Sequence, residues 1–145
     1  MLESKQKTPT MADIGLIDLE QFAKLIDGWF WKTDCENRFV YMSESVEIIT
    51  GVPPEWHYGK TRSDLRGEGI DDADWFNHID DMNAHRPFQD FKYKRVCPNG
   101  TRWLSTSGEP SFDASGAFKG YHGVARDITD EIVLSSELER SRSQL

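Results

Sequence analysis

The chain has 145 residues, 37% of them hydrophobic and 29% charged, and a formal net charge of −8. That length suits one domain able to bury a core without staples, and the negative balance repels phosphate backbones and anionic lipid surfaces, so no nucleic-acid partner is expected. No apolar run reaches the length of a membrane span, so no direct membrane insertion is expected either. The polar start, with Glu3, Lys5 and Lys7, lacks the apolar core of a signal peptide, and the expectation is a cytoplasmic protein unless the chain was cut from a longer membrane protein. Cys35 and Cys97 stand far apart without metal-type spacing and read as free thiols. Five Trp, eight Phe and four Tyr point to a heavily packed core or a ring-lined pocket.

Residues 1–17 read as a polar tail. The spacing then predicts a flanking helix over 18–27, with Asp18 as N-cap, a stripe of Leu19, Phe22, Leu25 and Ile26, and Gly28 as its stop. Trp29–Thr33 and Arg38–Met42 read as two strands joined by the hairpin loop Asp34–Asn37. Their apolar residues are consecutive, not alternate, which predicts cover on both faces of the sheet. A looser helical block follows. Ser45–Thr50 ends at Gly51, Pro53-Pro54 starts the next piece, and Asp71–His85 is the longest helix, with a stripe of Phe76, Ile79 and Met82. Residues 88–129 read as a three-strand meander with turns at Asn99-Gly100 and Asp113–Gly116. A last helix begins at residue 130, and Leu134, Leu138 and Leu145 are compatible with a heptad seam that Ser141 weakens.

Taking Asn99-Gly100 as a two-residue loop and Asp113–Gly116 as a four-residue loop pairs the meander in rows: Phe91/Gly108/Tyr121, Tyr93/Thr106/Gly123 and Arg95/Leu104/Ala125. This face mixes large rings with Gly, Ala and Thr and is the expected inner face. Its small residues leave room for a ligand or for neighbouring rings. Arg95 there needs a carboxylate or an anionic ligand beside it, or a place in water at the sheet edge. The opposite face carries Trp103 beside Arg126, an arrangement open to cation–π stacking or to cover by the N-terminal helix or a second subunit.

These residues resemble a PAS domain. The resemblance rests on Pro87-Phe88-x-Asp90-Phe91, Asn99-Gly100-x-x-Trp103, Ser107-Gly108-x-Pro110-x-Phe112-Asp113-x-x-Gly116 and Gly120-Tyr121-x-Gly123-x-x-Arg126-Asp127-Ile128-Thr129. Trp31-x-Thr33-Asp34, Thr50-Gly51 and Gly59-Lys60-Thr61 agree upstream. It implies an α+β fold: a five-stranded antiparallel sheet with helices on one face and a cavity between them. It also implies a sensory module in bacterial signal transduction, inside a two-component histidine kinase or a cyclic-di-GMP enzyme, acting as a homodimer with a covalently linked output domain. Residues 18–129 are then the PAS domain and 130–145 the start of the signalling linker helix. Ligand-pocket candidates are Trp31, Ile79, Met82, Phe91, Tyr93, Arg95, Leu104, Thr106, Tyr121 and Gly123. Asp127, Ile128 and Thr129 resemble the junction into the signalling helix, which Asp127 or Thr129 can cap.

The family's flavin-adduct photosensors use a cysteine in the helical block, and residues 44–86 contain none, so that photochemistry is excluded. The family's haem sensors use a histidine on the long helix; His78 and His85 lie there, and a surface position explains His78 equally well. A noncovalent flavin could use Trp31 and Asn77, and a small acid could pair with Arg95. Ser43, Ser45 and His78 show no spacing that makes a hydrolase, and Asp71-Asp72-x-Asp74 lacks the glycine and closing glutamate of a calcium loop, so neither catalysis nor metal binding is expected of this chain. The enzyme alternative is a small cone-shaped α+β isomerase or dehydratase, which would need its long helices before most of its sheet.

Overall fold

The computed structural model describes residues 19–66 and 70–143. Its centre is one antiparallel sheet of β1 (Gly28–Thr33), β2 (Phe39–Met42), β3 (Phe88–Cys97), β4 (Gly100–Phe112) and β5 (Phe118–Asp127), in the order β2-β1-β5-β4-β3. Helical residues 19–25 (the described part of α1) precede the sheet. Between β2 and β3 lie α2 (Ser45–Thr50), α3 (Pro54–His57) and α4 (Asp72–Asn83), and α5 (Thr129–Ser143) leaves from the end of β5. The α+β fold expected from the sequence is therefore present, and the predicted Asp18 cap and Leu145 lie outside the described residues.

The registers differ from the sequence-derived ones by two residues, in both hairpins. Cys97 pairs with Gly100, so the first turn is centred on Pro98-Asn99. Proline's fixed φ suits the second position of a turn and glycine the fourth, which outweighs the Asn-Gly signal. Asn99 is thereby free to serve α2: its backbone N–H donates to Thr50 O (3.3 Å) and its side chain to Ile48 O (3.2 Å). In the second hairpin a bulge between Ser111 and Phe112 makes Phe112 face Phe118. Asp113 holds that loop by accepting from the backbone N–H groups of Ser115 and Ala117. A shift of two leaves every side chain on its predicted face, because strand side chains alternate with period 2.

A bulge between Phe88 and Phe91 decides how the inner face fills. Asp90 takes a left-handed φ of 54° there, and its N–H donates to Ser107 Oγ (2.9 Å). The extra residue lets both Phe88 and Phe91 turn inward. Phe88, not Phe91, then lies opposite Gly108, and the row continues through Gly123 to Trp31 and Met42. The next row is Phe91, Thr106, Ala125 and Trp29. Trp31 and Phe88 stack 6.0 Å apart over the two glycines, and a Cβ built on Gly123 would lie 2.1 Å from Ser107 O and 2.5 Å from the Trp31 indole.

Three helix expectations need correction. Asp27, with φ 53°, makes the left-handed turn after α1, while Gly28 is the first residue of β1, pressed against Ala125 O. In α4, which starts one residue later than expected because Asp71 is its N-cap, the buried residues are Trp75, His78 and Met82; Phe76 is 64% exposed and Ile79 half-buried. A hydrophobic pattern cannot choose between the adjacent rings Trp75 and Phe76; the rings of β3 choose, since His78 stacks on Phe91 at 4.0 Å. His78 is therefore a buried residue, 3% exposed. On the outer face cover is partial: Phe30 and Tyr41 are half-buried, and Val40 is 50% exposed.

Gly123→Ala should cost at least about 2 kcal/mol, because a backbone carbonyl blocks the new methyl and only strand displacement relieves it. Urea unfolding measures this as a lower midpoint at unchanged slope. An unchanged midpoint would mean that the Trp31 seat is not tightly packed.

Candidate functional site

Between the inner face and the helical block lies a cavity of about 40 Å³. Trp29, Trp31, Phe91, Tyr93, Thr106 and Ala125 form its sheet wall; Arg62, Leu65, Ile70 and Trp75 face them from the helical block. Arg95 lines its end. Trp31 is anchored by donating from Nε1 to Thr106 Oγ1 (3.0 Å) and by edge contact with Phe39 at 5.9 Å.

Of the ten sequence-derived pocket candidates, Trp31, Phe91, Tyr93, Arg95 and Thr106 are brought together here. The other five lie elsewhere. Leu104 is fully buried in the core, and Gly123 lies beneath the Trp31 indole. Tyr121 reaches under α4, donating to Arg86 O (2.8 Å) and contacting Asp81 O (3.1 Å). Ile79 and Met82 line a separate surface recess with Arg62 and Asn83. His57 and Arg62 were not among the sequence candidates. Arg62 follows Gly59-Lys60-Thr61 in a loop, with no periodicity to show that its side chain turns inward.

Beside the hydroxyls of Tyr93 and Thr106, the charged residues of the cavity, among those described, are basic. Arg62 is 9% exposed; its guanidinium carbon sits 4.8 Å from the Trp31 ring and 5.2 Å from the Phe39 ring, and its Nε has no hydrogen-bond partner. Burial lowers its pKa, Tyr93 supports the charge and Arg95 opposes it. Contact with aromatic faces is worth about 0.5–2 kcal/mol, against several kcal/mol to desolvate an ion. Arg95 donates to His57 Nε2 (2.9 Å), and His57 Nδ1 lies 3.1 Å from Pro53 O. The imidazole thus donates through Nδ1 and accepts through Nε2, the neutral form. Burial, then the Arg95 charge, pushes its pKa down to about 4. Burial, then Arg62, pushes His78 down to about 3, and neither of its ring nitrogens has a partner.

Next to the Arg95 end of the cavity, β5 passes into α5 through a closed set of bonds. Ile128 N–H donates to Trp103 O (2.8 Å), and Trp103 N–H donates to Thr129 Oγ1 (2.9 Å). Asp127 Oδ1 accepts from the Thr129 N–H (2.9 Å) and hydroxyl (2.6 Å), and its Oδ2 lies 3.6 Å from Arg102. Arg102 faces Arg95 across β3–β4. Ile128 is buried, whereas no residue of α5 is. On the outer face Lys94, not Arg126, lies over Trp103 (5.9 Å), because the shifted register places those two directly opposite; Arg126 pairs with Glu131 at 2.6 Å. The described part of α1 is tied instead to the β2 side, Glu20 accepting from Tyr41 OH (2.8 Å) and Glu44 N–H (3.0 Å).

An open antiparallel sheet, a ring-lined inner cavity and a helix launched from the last strand define the architecture of this α+β domain. A family model described as PAS fold matches residues 22–132, and the chain belongs to that family. No curated protein matches it in sequence. Among solved structures, an RNA-binding Light-Oxygen-Voltage receptor aligns with a TM-score of 0.72 at 17% identity over 99% of this chain, which spans 41% of that receptor. The light-state Aureochrome1 LOV photoreceptor aligns with a TM-score of 0.64 at 17% identity, over 85% of this chain and 98% of that one. The N-terminal domain of a diguanylate cyclase with a PAS/PAC sensor from Marinobacter aquaeolei aligns with a TM-score of 0.59 at 19% identity, over 72% of this chain and 97% of that one. No helix among the described residues is long and apolar enough to cross a membrane.

The two buried histidines make stability acid-sensitive. An unfolded chain protonates them near pH 6.5, the folded one only near 4 for His57 and 3 for His78. Between those values the unfolded state binds more protons, so each histidine removes about 1.4 kcal/mol per pH unit as pH falls below about 6. His78→Leu should therefore unfold with a visibly shallower loss of stability between pH 6 and 4.5 in denaturant titrations. A slope equal to the parent's would show that His78 is protonated in the fold.

Proposed function

We propose that this chain is a sensory PAS module that reports the state of its cavity to an output domain through Asp127–Ile128–Thr129 and α5. The carrying observation is the junction itself. The end of β5 is bonded to the Trp103 backbone on both sides, and the same Asp127 carboxylate bonds to the first residue of α5 and contacts Arg102. Arg102 is the cross-strand neighbour of cavity-lining Arg95, so a shift of β3 against β4 acts on the root of α5. The diguanylate cyclase relative supports a cyclic-di-GMP enzyme as the output, and a histidine kinase is the second choice. RNA binding belongs to a receptor of which this chain spans 41%, and the net charge of −8 argues against carrying it over.

In this reading α5 is one strand of a homodimeric coiled coil. Leu134 and Leu138 are 64% and 55% exposed, and Phe22 and Leu25 of α1 are 55% and 78% exposed, which leaves two apolar stripes for a second copy to cover.

Two measurements test the parts separately. Arg95→Gln, at the cavity, should change amide hydrogen exchange at residues 128–134 several-fold, and unaltered exchange there would sink the relay. Sedimentation should show a concentration-dependent dimer that Leu134→Glu together with Leu138→Glu converts to monomer. A dimer indifferent to both substitutions would place the interface elsewhere.

A further inference from the structure

We infer that the cavity takes a small oxyanion, with Arg62 and Arg95 as its two holding groups. This rests on the reading of the cavity as the sensory site and names the ligand class that site selects. The whole chain carries a net charge of −8, yet among the described residues the charged ones lining the cavity are all basic: Arg62, Arg66, Lys94 and Arg95. Two of them are already engaged. Arg66 bonds to Asp72 at 2.6 Å, and Lys94 lies over the Trp103 ring on the other side of the sheet. The remaining two meet no carboxylate among the described residues.

Arg62 and Arg95 are also near enough for their charges to oppose one another. A buried guanidinium ordinarily carries a carboxylate with it, because removing it from water without one is costly. Arg62, 9% exposed, keeps an unpartnered Nε while its guanidinium packs against two aromatic rings. Arg95 spends one N–H on a neutral imidazole, an acceptor that leaves its charge uncompensated. The guanidinium's forked donors match the paired oxygens of a carboxylate or a similarly flat anion. Size limits the choice: a cavity of about 40 Å³, far below the volume of a drug-sized pocket, suits a ligand of the order of formate, acetate or nitrate.

The test is a titration of the 145-residue chain at constant ionic strength, read by tryptophan fluorescence, since Trp29, Trp31 and Trp75 line the cavity, and by thermal shift. Formate and acetate probe a carboxylate source, nitrate an inorganic one, and acetamide is the neutral match in shape. We expect a saturable signal and a raised melting temperature with at least one anion below about 100 mM, and neither with acetamide. Arg62→Met and Arg95→Gln should each weaken binding at least tenfold, while Lys92→Gln on the exposed outer face should not. If one arginine variant fails to fold, the other carries the test. Binding undiminished in both would place the anion elsewhere and overturn the inference. Equal binding of acetamide would overturn the anionic class while leaving a ligand-sensing cavity in place. Silence from every probe, neutral and anionic, would count against both.

Discussion

The seat of Trp31 is the contact on which the rest of the inner face depends. Its indole lies across Gly108 and Gly123, stacks on Phe88, meets Phe39 edge-on, and donates its one N–H to Thr106. Each of those neighbours has a reason to be where it is. The glycines let the ring approach the backbone to a distance no Cβ permits. Thr106 supplies the acceptor that a buried indole N–H requires. Phe88 reaches the stack only because the bulge at Asp90 turns two phenylalanines inward. The space left over, on the Trp29 and Thr106 side, is the cavity, and its size follows from how completely Trp31 fills the rest.

The second organising feature is an inversion of charge. The protein is acidic overall, but among the described residues the buried basic side chains are the Arg62 guanidinium and the neutral imidazoles of His57 and His78, with no carboxylate buried beside them. Keeping His57 uncharged costs stability only in acid, and it provides Arg95 with an acceptor that does not cancel its charge. The result is a cavity with positive potential walled by rings. The sheet then connects this cavity to Asp127, which contacts Arg102 and bonds to the first residue of α5. Ile128 anchors that helix by burial, and beyond it α5 buries nothing.

Much of the fold was legible because strands and turns are local. Pro54 at a helix start and Gly51 at a helix end are each set by neighbours in sequence. The inner face of the meander follows from the sequence although both registers are shifted by two residues, since only an odd shift exchanges faces. The errors arose where two local signals competed. Pro98 overrode Asn99-Gly100, and Asp27 accepted the left-handed turn expected of Gly28. In α4 the choice between Trp75 and Phe76 was made by β3 rings far away in sequence. The site was half legible for the same reason. Strand residues Trp31, Phe91, Tyr93, Arg95 and Thr106 follow from alternation, whereas Arg62 sits in a loop and His57 in a four-residue helix, where periodicity says nothing about direction.

By itself, then, the amino-acid sequence determined the order of elements, the faces of the strands and the point at which β5 becomes α5. All of these follow from backbone chemistry within a few residues of each position. Only the tertiary structure decided which rings fill the space over the glycines, that His78 is buried, and that two arginines from separate parts of the chain share one cavity with no carboxylate paired to either among the described residues. Those outcomes depend on packing volume and desolvation, which are properties of groups brought together from across the chain.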